Sequence, residues 1–329
     1  MLPMTDARCD VLVIGAGLSG LVAARELQTA GLQVAVVDKG RSVGGRLATR
    51  RIGDARLDHG AQFFTVRGDD FRAVVDEAVA AGVVHQWCAG FADPPDGYPR
   101  FTGSTGMNAL AKWLADGLDV TTGVQVSSLS ASAGAVTAVA EGWSRTAPVC
   151  LVTSPVPQTM ALLDAGGVDL PADIDATMRS IRYFATLGLL ATVDGPTAIG
   201  DPGGIQLPET ERFTFIADNL RKGISDAPAV TFHANHDHSL ARYDDPEDDV
   251  LAELLEWARP WLGDATVVEA QLKKWRYAGP VAPVPERVLA AEVDGATFAF
   301  AGDAFGGPKV EGAFNSGLAA GHLLAEATR

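Results

Sequence analysis

Residues 9–46 read CDVLVIGAGLSGLVAARELQTAGLQVAVVDKGRSVGGR. The apolar run Val11–Ile14 suits a buried parallel strand, and it ends in the G-x-G-x-x-G pattern of residues 15–20. In that pattern the first glycine makes a tight turn, the second lets the backbone approach a pyrophosphate, and the third lets the following helix pack against the strand. A second strand over residues 33–37 ends in Asp38, whose carboxylate is placed to accept a hydrogen bond from a ribose hydroxyl. A glycine-rich turn without a ligand is disfavoured because strand, helix, second strand and terminal acid fall at the expected separations. The stretch therefore predicts a dinucleotide-binding unit.

Two further glycine-rich elements point to the same ligand. Gly44-Gly45-Arg46 follows closely enough for its backbone to return to the same pyrophosphate, which a plain nicotinamide-binding unit does not need. Near the other end of the chain, the apolar run over residues 297–301 ends in Gly302-Asp303, and a helix is predicted from Val310 to about residue 327. Two phosphate-loop-like elements after apolar strands favour one long ligand on a discontinuous domain, and FAD fits better than NAD. Only one G-x-G-x-x-G is present, so the molecule that reduces the flavin should bind in a second domain.

Composition narrows the class of protein. The chain has 329 residues, which favours two domains, with 47% hydrophobic and 20% charged residues, as in globular proteins. No apolar run reaches the length of a transmembrane helix, and no export signal is evident, so we expect a cytoplasmic protein without a membrane partner. The net charge of −15 disfavours nucleic acid as a partner. A local exception is an arginine cluster that could compensate phosphate charge: Arg41, Arg46, Arg50, Arg51 and Arg56.

The predicted division of the chain is discontinuous. The FAD-binding domain is predicted over residues 1–82, 103–165 and 285–329, with residues 1–9 as a tail. The substrate domain is predicted over residues 83–102 and 166–284. Its elements include strands over residues 181–193, 213–217, 230–234 and 267–277 and a helix over residues 246–262.

Three features of the sequence allow a structural or a functional interpretation. Residues 57–64, LDHGAQFF, suit a wall against a flat ring, although an ordinary loop that ends in two buried phenylalanines is the alternative. His233, His236 and His238 could form a metal site, but no cysteine or second carboxylate motif accompanies them, so we predict no metal. Cys9, Cys88 and Cys150 show no C-x-x-C spacing and are expected to be free thiols.

Four motifs resemble one family along the whole chain. They are GGRLATRR at residues 44–51, DHGAQFF at residues 58–64, KWRYA at residues 274–278 and GDAFGGPKVEGA at residues 302–313. The chain resembles renalase and its bacterial relatives, within the flavin amine oxidases. Asp38 stands where these proteins often have Glu, and Lys309 where bacterial relatives often have Arg, which keeps the charge but loses bidentate geometry.

The resemblance implies an α/β, two-domain flavoprotein fold like that of p-hydroxybenzoate hydroxylase, with a Rossmann-type FAD domain and a mixed-sheet substrate domain. It implies non-covalent FAD and oxidation of the 2-dihydro and 6-dihydro isomers of NAD(P)H by hydride transfer to flavin N5, with O2 reduced to H2O2. The candidate catalytic residues are Phe64, Asn219, His233 and Trp275. The candidate cofactor residues are Gly15, Gly17, Leu18, Ser19, Gly20, Asp38, Lys39, Gly45, Arg46, His59, Gly60, Ala61, Gln62, Val126, Gly302, Asp303, Val310, Glu311 and Ala313.

Two other functions stay open from the sequence. One is an FAD-dependent amine oxidase or desaturase on the same fold, with an amine as substrate. The other is a non-catalytic flavin- or lipid-binding protein, which Asp303 and a full C-terminal helix disfavour. The arginine cluster, together with Lys274 and Arg276, favours an anionic substrate over an amine.

Overall fold

A computed structural model describes residues 9–328. The predicted tail over residues 1–9 lies, except for Cys9, outside the described residues. The strands are β1 Val11–Ile14, β2 Val34–Asp38, β3 Thr49–Ile52, β4 Ala55–Asp58, β5 Val84–Cys88, β6 Arg100–Gly103, β7 Asp119–Thr122, β8 Val126–Ser132, β9 Ala135–Ala140, β10 Trp143–Ala147, β11 Val149–Val152, β12 Tyr183–Val193, β13 Gly204–Gln206, β14 Phe213–Asp218, β15 Ala229–Ala234, β16 Val267–Pro280, β17 Leu289–Val293 and β18 Ala296–Phe300. The helices are α1 Leu18–Thr29, α2 Asp69–Ala80, α3 Asn108–Ala115, α4 Val156–Gly166, α5 Ala172–Ser180, α6 His236–Ala241, α7 Glu247–Leu262 and α8 Lys309–Ala327.

The chain divides into two compact units. Unit 1 comprises residues up to 45, 111–182 and 280 onward, and unit 2 comprises residues 46–110 and 183–279.

A six-stranded sheet in the order β17-β18-β11-β1-β2-β7 organises unit 1. The pairings of β1 with β11 and β2, of β11 with β18 and of β2 with β7 are parallel, and β17 runs antiparallel to β18. Strands β1 and β11 are buried along their whole length, as expected for parallel strands covered on both faces. Strand β1 lies between β11 and β2, where the strand order reverses, and ligands of open α/β sheets bind beyond the carboxyl ends of the strands at such a point.

A five-stranded sheet in the order β13-β14-β15-β12-β16 forms the centre of unit 2. Helix α7 contributes Val250, Leu254, Ala258 and Leu262 to the core of this unit, at the four-residue spacing that places side chains on one helix face. They pack in one cluster with Leu189 of β12 and Phe232 of β15.

The unit boundaries differ from the predicted domains. Residues 46–82 belong to unit 2 because Ile52, Ala55 and Leu57 of the β3–β4 hairpin pack with Leu190 and Ala229 of the five-stranded sheet. This hairpin also carries Arg50, Arg51 and Arg56 of the predicted arginine cluster. Those side chains therefore belong to unit 2 and not to the dinucleotide unit.

A short helix follows β15 directly, because residues 236–241 form α6. The Asn235 side chain caps this helix and accepts a hydrogen bond of 2.7 Å from the His238 backbone N–H. Asparagine is a favoured N-cap residue, so the sequence contained the signal for this helix.

Candidate functional site

The first candidate region is the turn between β1 and α1. Gly20 allows the turn to close, because a Cβ there would lie 2.0 Å from the Gly15 carbonyl oxygen. Gly17 has a different reason to be glycine: its φ is −75° and no described heavy atom lies within 4 Å of the position of a Cβ. Neither backbone conformation nor protein packing requires glycine there, so the open space above Gly17 fits close approach of a ligand. The Ser19 hydroxyl beside it is buried and has no hydrogen-bond partner among residues 9–328.

The second glycine pair returns to this turn. The Gly44 N–H donates to the Ala16 carbonyl at 2.8 Å, and Gly44 forms a parallel bridge with Gly17. A Cβ on Gly45 would lie 3.4 Å from the Gly17 Cα. The second glycine pair therefore lies against the first loop, and its contact with the same pyrophosphate stays a prediction.

Asp38 at the end of β2 holds the same turn. One carboxylate oxygen accepts from the Ala16 N–H at 2.7 Å, and the other accepts from the Gly40 N–H at 2.6 Å. Each oxygen keeps a further lone pair for a ribose hydroxyl. Lys39 is exposed and donates to the Gln158 side chain of α4 at 3.1 Å.

The N-terminal end of α8 forms the other glycine-rich region of unit 1. The Gly302 N–H donates to the Ser316 hydroxyl at 2.8 Å, which fixes the segment before the helix to the helix itself. A Cβ on Gly312 would lie 1.9 Å from the Gly307 carbonyl oxygen, so the first turn of α8 closes tightly on the preceding loop. Asp303 and Val310 are buried, Glu311 lies in the first turn of α8 and Ala313 is half-buried.

Helices α1 and α8 pack closely within unit 1. Gly317 makes this possible, because a Cβ there would lie 2.3 Å from the Ser19 carbonyl oxygen. Lys309, which begins α8, precedes Gly317 by eight residues, or about 12 Å along a helix. Both helices lack a side-chain N-cap among the described residues, so the partial positive charge at each N-terminus can face an anionic or polar ligand. Val126, the remaining candidate in unit 1, begins β8 and is half-buried.

Unit 2 brings four candidate side chains together at the end of the β3–β4 hairpin. The His59 ring stacks on Trp275 with centroids 5.4 Å apart, and Trp275 Nε1 donates to the His59 carbonyl at 2.6 Å. Gln62 Nε2 lies 3.4 Å from His233 Nε2. His59 Nδ1 and Gln62 Oε1 are buried and have no hydrogen-bond partner among residues 9–328. We call His59, Gln62, His233 and Trp275 the imidazole cluster.

Both imidazoles are held neutral. Burial, helped by the positive charges of Lys273 and Arg50, lowers the pKa of His59 to about 3. Burial also lowers the pKa of His233 to about 4, against the opposing effect of a hydrogen bond to the His59 carbonyl. Neither ring carries charge near neutral pH, so the cluster offers uncharged hydrogen-bonding groups.

Three predicted cofactor residues near this cluster, Arg46, Gly60 and Ala61, hold the local backbone in place. A Cβ on Gly60 would lie 2.0 Å from the Arg46 carbonyl oxygen, and the Ala61 N–H donates to that oxygen at 2.9 Å. The Arg46 guanidinium donates to the Tyr277 carbonyl at 3.3 Å. Residues 46 and 60–61 thereby fix the loop that carries His59 and Gln62.

Two candidate catalytic side chains, those of Asn219 and Phe64, take part in the internal hydrogen bonding and packing of unit 2. Asn219 is fully buried, donates to Thr231 Oγ1 at 3.0 Å and accepts from the Asp58 N–H at 3.4 Å. Phe64 is 3% exposed and packs against Phe71 and Phe101, with ring centroids 5.5 and 5.8 Å apart. The prediction that these two side chains contact a substrate is corrected, because the Asn219 amide already has hydrogen-bond partners in the protein and the Phe64 ring packs against two phenylalanines.

A buried ion pair lies outside the site residues predicted from the sequence. Lys222 Nζ lies 2.7 Å from Asp58 Oδ2, and both side chains are 0% exposed. Burial lowers the pKa of Lys222, and its ammonium also lies 5.0 Å from the centre of the Trp87 ring. Asp58 is the first residue of the DHGAQFF motif, but Lys222 follows Arg221 in a polar segment that gives no sign of burial.

The three histidines considered for a metal lie in different environments. His233 belongs to the imidazole cluster, His236 stacks on Phe184 at 3.8 Å, and His238 packs on Trp257 at 4.4 Å. Among residues 9–328, no group of three or more His, Cys, Asp or Glu side chains is arranged to hold a metal ion. Within the same range, every helix is too short or too polar to cross a membrane.

Comparison with known proteins agrees with this geometry. Residues 13–78 match the NAD(P)-binding Rossmann-like domain family. In solved structures, a putrescine oxidase variant shares the fold over 98% of both chains with a TM-score of 0.70 and 15% identity. Cyclohexylamine oxidase from Brevibacterium oxydans does so over 98% of this chain and all of its own, with a TM-score of 0.67 and 15% identity. The chain therefore shares the fold of putrescine oxidase and cyclohexylamine oxidase.

The predicted fold class is thus confirmed, and the family match covers residues 13–78. Putrescine oxidase from Kocuria rosea is 43% identical over 68 residues, which cover 21% of this chain and 14% of that protein. The curated relatives are matched over about a seventh of their length. Residues 13–78, which match the family, carry the dinucleotide-binding turn and do not include His233 or Trp275.

Proposed function

We propose that the protein is a cytoplasmic FAD-dependent oxidase that acts on the 2-dihydro and 6-dihydro isomers of NAD(P)H. Oxidation would give NAD(P)+, with O2 reduced to H2O2. The assignment of a flavin rests on two helix N-termini in unit 1, those of α1 and α8. Each follows a glycine-rich loop that would let a ligand come close to the backbone. Gly17 is glycine without a structural reason in the protein itself, which supports a ligand at that position.

FAD fits these residues better than NAD because two separate glycine-rich loops can bind one long dinucleotide. The turn at Gly17 and the Asp38 carboxylate would hold the pyrophosphate and adenosine ribose, as in other dinucleotide-binding units. Asp303 and the N-terminal end of α8 would hold the flavin side of the molecule. Bound FAD would supply the ring that accepts a hydride.

The imidazole cluster supports a substrate that needs no proton removed. His59 and His233 are neutral above about pH 4, and neither is paired with a carboxylate that would make it a stronger base within the described residues. A dihydropyridine is already a hydride donor, so the protein needs only to align the ring and exclude water. Trp275, stacked on His59, provides a flat aromatic surface for such a ring.

Charge around the cluster also supports an anionic or neutral substrate. Lys273 and Arg50 lie close enough to His59 to lower its pKa, and Lys222 acts on His233 in the same sense. An ammonium group would be repelled by these positive charges, whereas the phosphates of a nicotinamide dinucleotide would be attracted.

An amine oxidase is the second candidate. The sequence likeness to putrescine oxidase and the shared fold with cyclohexylamine oxidase favour it. On this assignment a primary or secondary amine, as the free base, would replace the dihydropyridine beside Trp275.

Anaerobic mixing of the FAD-loaded protein with candidate reductants separates the two functions. We expect the flavin absorbance to bleach within seconds with borohydride-generated isomers of NADH, and at least tenfold more slowly with ordinary 4-dihydro NADH. Trp275→Ala should retain FAD and slow bleaching, whereas Trp143→Ala in unit 1 should react like the wild type. Rapid bleaching by amines and none by the NADH isomers would replace the first proposal with the second.

A further inference from the structure

The side chain of Gln62 is fixed in one orientation. Its Nε2 donates to the Asp58 carbonyl at 2.7 Å and to the Gly60 carbonyl at 3.2 Å, and the residue is only 6% exposed. An amide nitrogen has two hydrogens, and both partners are carbonyls that can only accept. The amide therefore cannot turn over without losing both bonds, and Oε1 is held as an acceptor.

The Oε1 atom has no donor within the described part of the chain, although it is buried. Buried acceptors in folded proteins are nearly always satisfied, by protein or by another molecule. The Gln62 amide lies in the imidazole cluster, with its Nε2 3.4 Å from His233 Nε2. It is close in sequence to His59, whose Nδ1 is also buried without a hydrogen-bond partner among residues 9–328. The cluster thus presents a preset acceptor together with a second unsatisfied polar atom.

The support behind Gln62 is rigid. The Asp58 carbonyl also accepts from Thr231 Oγ1 at 2.9 Å, and the Asp58 carboxylate is anchored by Lys222. These contacts come from separate segments of unit 2, so the acceptor direction is set before any ligand binds. Such preorganisation favours discrimination between ligands over adaptation to them.

We infer that Gln62 Oε1 accepts a hydrogen bond from the carboxamide NH2 of a pyridine-3-carboxamide substrate. Gln62 is thereby a specificity-determining residue and not, as its sequence position predicted, a cofactor residue. This inference rests on the proposed function. A carboxamide provides a donor without charge, whereas an ammonium donor would meet the positive charges of Lys273 and Arg50, which act on His59.

Binding of oxidised dinucleotides to the FAD-loaded wild type tests the inference without turnover. NAD+ and its thionicotinamide analogue both have the amide NH2, whereas the 3-acetylpyridine analogue has a methyl group in its place. Perturbation of the flavin absorbance on titration gives each dissociation constant. We expect NAD+ and the thio analogue to bind within about twofold of each other, and the acetyl analogue to bind roughly tenfold more weakly.

Gln62→Met removes the acceptor and should bring the dissociation constants of NAD+ and the acetyl analogue within about twofold of each other. The control Gln206→Met, at the exposed end of β13, should keep the wild-type ratio of these constants. Equal binding of NAD+ and the acetyl analogue by the wild type would overturn the inference. So would a tenfold loss of FAD affinity in Gln62→Met without any change in the ratio, because the acceptor would then face the flavin.

Failure of the proposed function gives a different pattern. In that case no dihydronicotinamide isomer bleaches the flavin, whatever the binding ratios are. Bleaching without discrimination between NH2 and methyl would contradict only the role of Gln62.

Discussion

Replacing Lys222 by methionine removes one charge of the buried pair and keeps the length of the side chain. The ammonium lies 2.7 Å from Asp58 Oδ2, and neither side chain is exposed to solvent. The other oxygen of Asp58 would still accept from Thr49 Oγ1 at 2.6 Å and from the Met107 N–H at 2.8 Å. The variant therefore leaves a buried carboxylate with two donors and no counter-charge.

The separation sets the scale of the effect. Two unit charges at this distance attract by about 6 kcal/mol at an effective dielectric constant of about 20, and desolvation of both ions offsets part of that attraction. Removal of one partner from a buried pair typically costs about 3–5 kcal/mol. Because two donors remain on Asp58, we expect Lys222→Met to lower the free energy of unfolding by about 3 kcal/mol.

Urea unfolding of the FAD-loaded protein at pH 7.5, followed by circular dichroism, measures this loss. The double variant Asp58→Asn, Lys222→Met removes both charges and should be at least about 2 kcal/mol more stable than the sum of the single losses predicts. Asp226→Asn is the control: it breaks the exposed pair with Arg56 and should cost less than about 1 kcal/mol. A loss below 1 kcal/mol in Lys222→Met, or strict additivity in the double variant, would refute the reasoning.

Three further outcomes are expected. Gly17→Val should change the free energy of unfolding of the FAD-free protein by less than about 0.5 kcal/mol, because the space beside Gly17 holds no protein atom. The same variant should weaken FAD binding more than about tenfold in a fluorescence titration. Equal FAD affinity would show that no ligand uses this space. His233 has a pKa of about 4 when folded and an ordinary value of 6.5, so the unfolded chain binds more protons between these values and stability falls as pH drops through them, by up to about 3 kcal/mol. His233→Gln should remove that part of the pH dependence in urea unfolding at pH 7 and pH 4, and exposed His322→Gln should not; the same slope in both variants would contradict the buried neutral imidazole. Acid precipitation should release all the flavin into the supernatant, because residues 302–313 contain no cysteine for a covalent bond to the ring; colour in the pellet would contradict non-covalent binding.

The dinucleotide-binding unit, and the return of the chain to it, could be predicted from the sequence. The strand, turn, helix and acid over residues 11–38 follow from contiguous signals: an apolar run, glycines at fixed spacing, and a carboxylate at the end of the second strand. The helix predicted from Val310 likewise follows a glycine-rich segment and forms as α8. Such signals are local, because turn chemistry and hydrophobic periodicity act over a few residues.

The contacts between side chains in unit 2 could not be predicted from the sequence. Gln62 contacts His233 across 171 positions of sequence, and Lys222 contacts Asp58 across 164. Nothing near Lys222 marks it for burial, and Asn219 could equally have faced a ligand until its amide was seen to bond to Thr231. These roles depend on long-range packing of the β3–β4 hairpin against the five-stranded sheet. This packing brings together side chains whose contact is not indicated by the residues next to them in sequence.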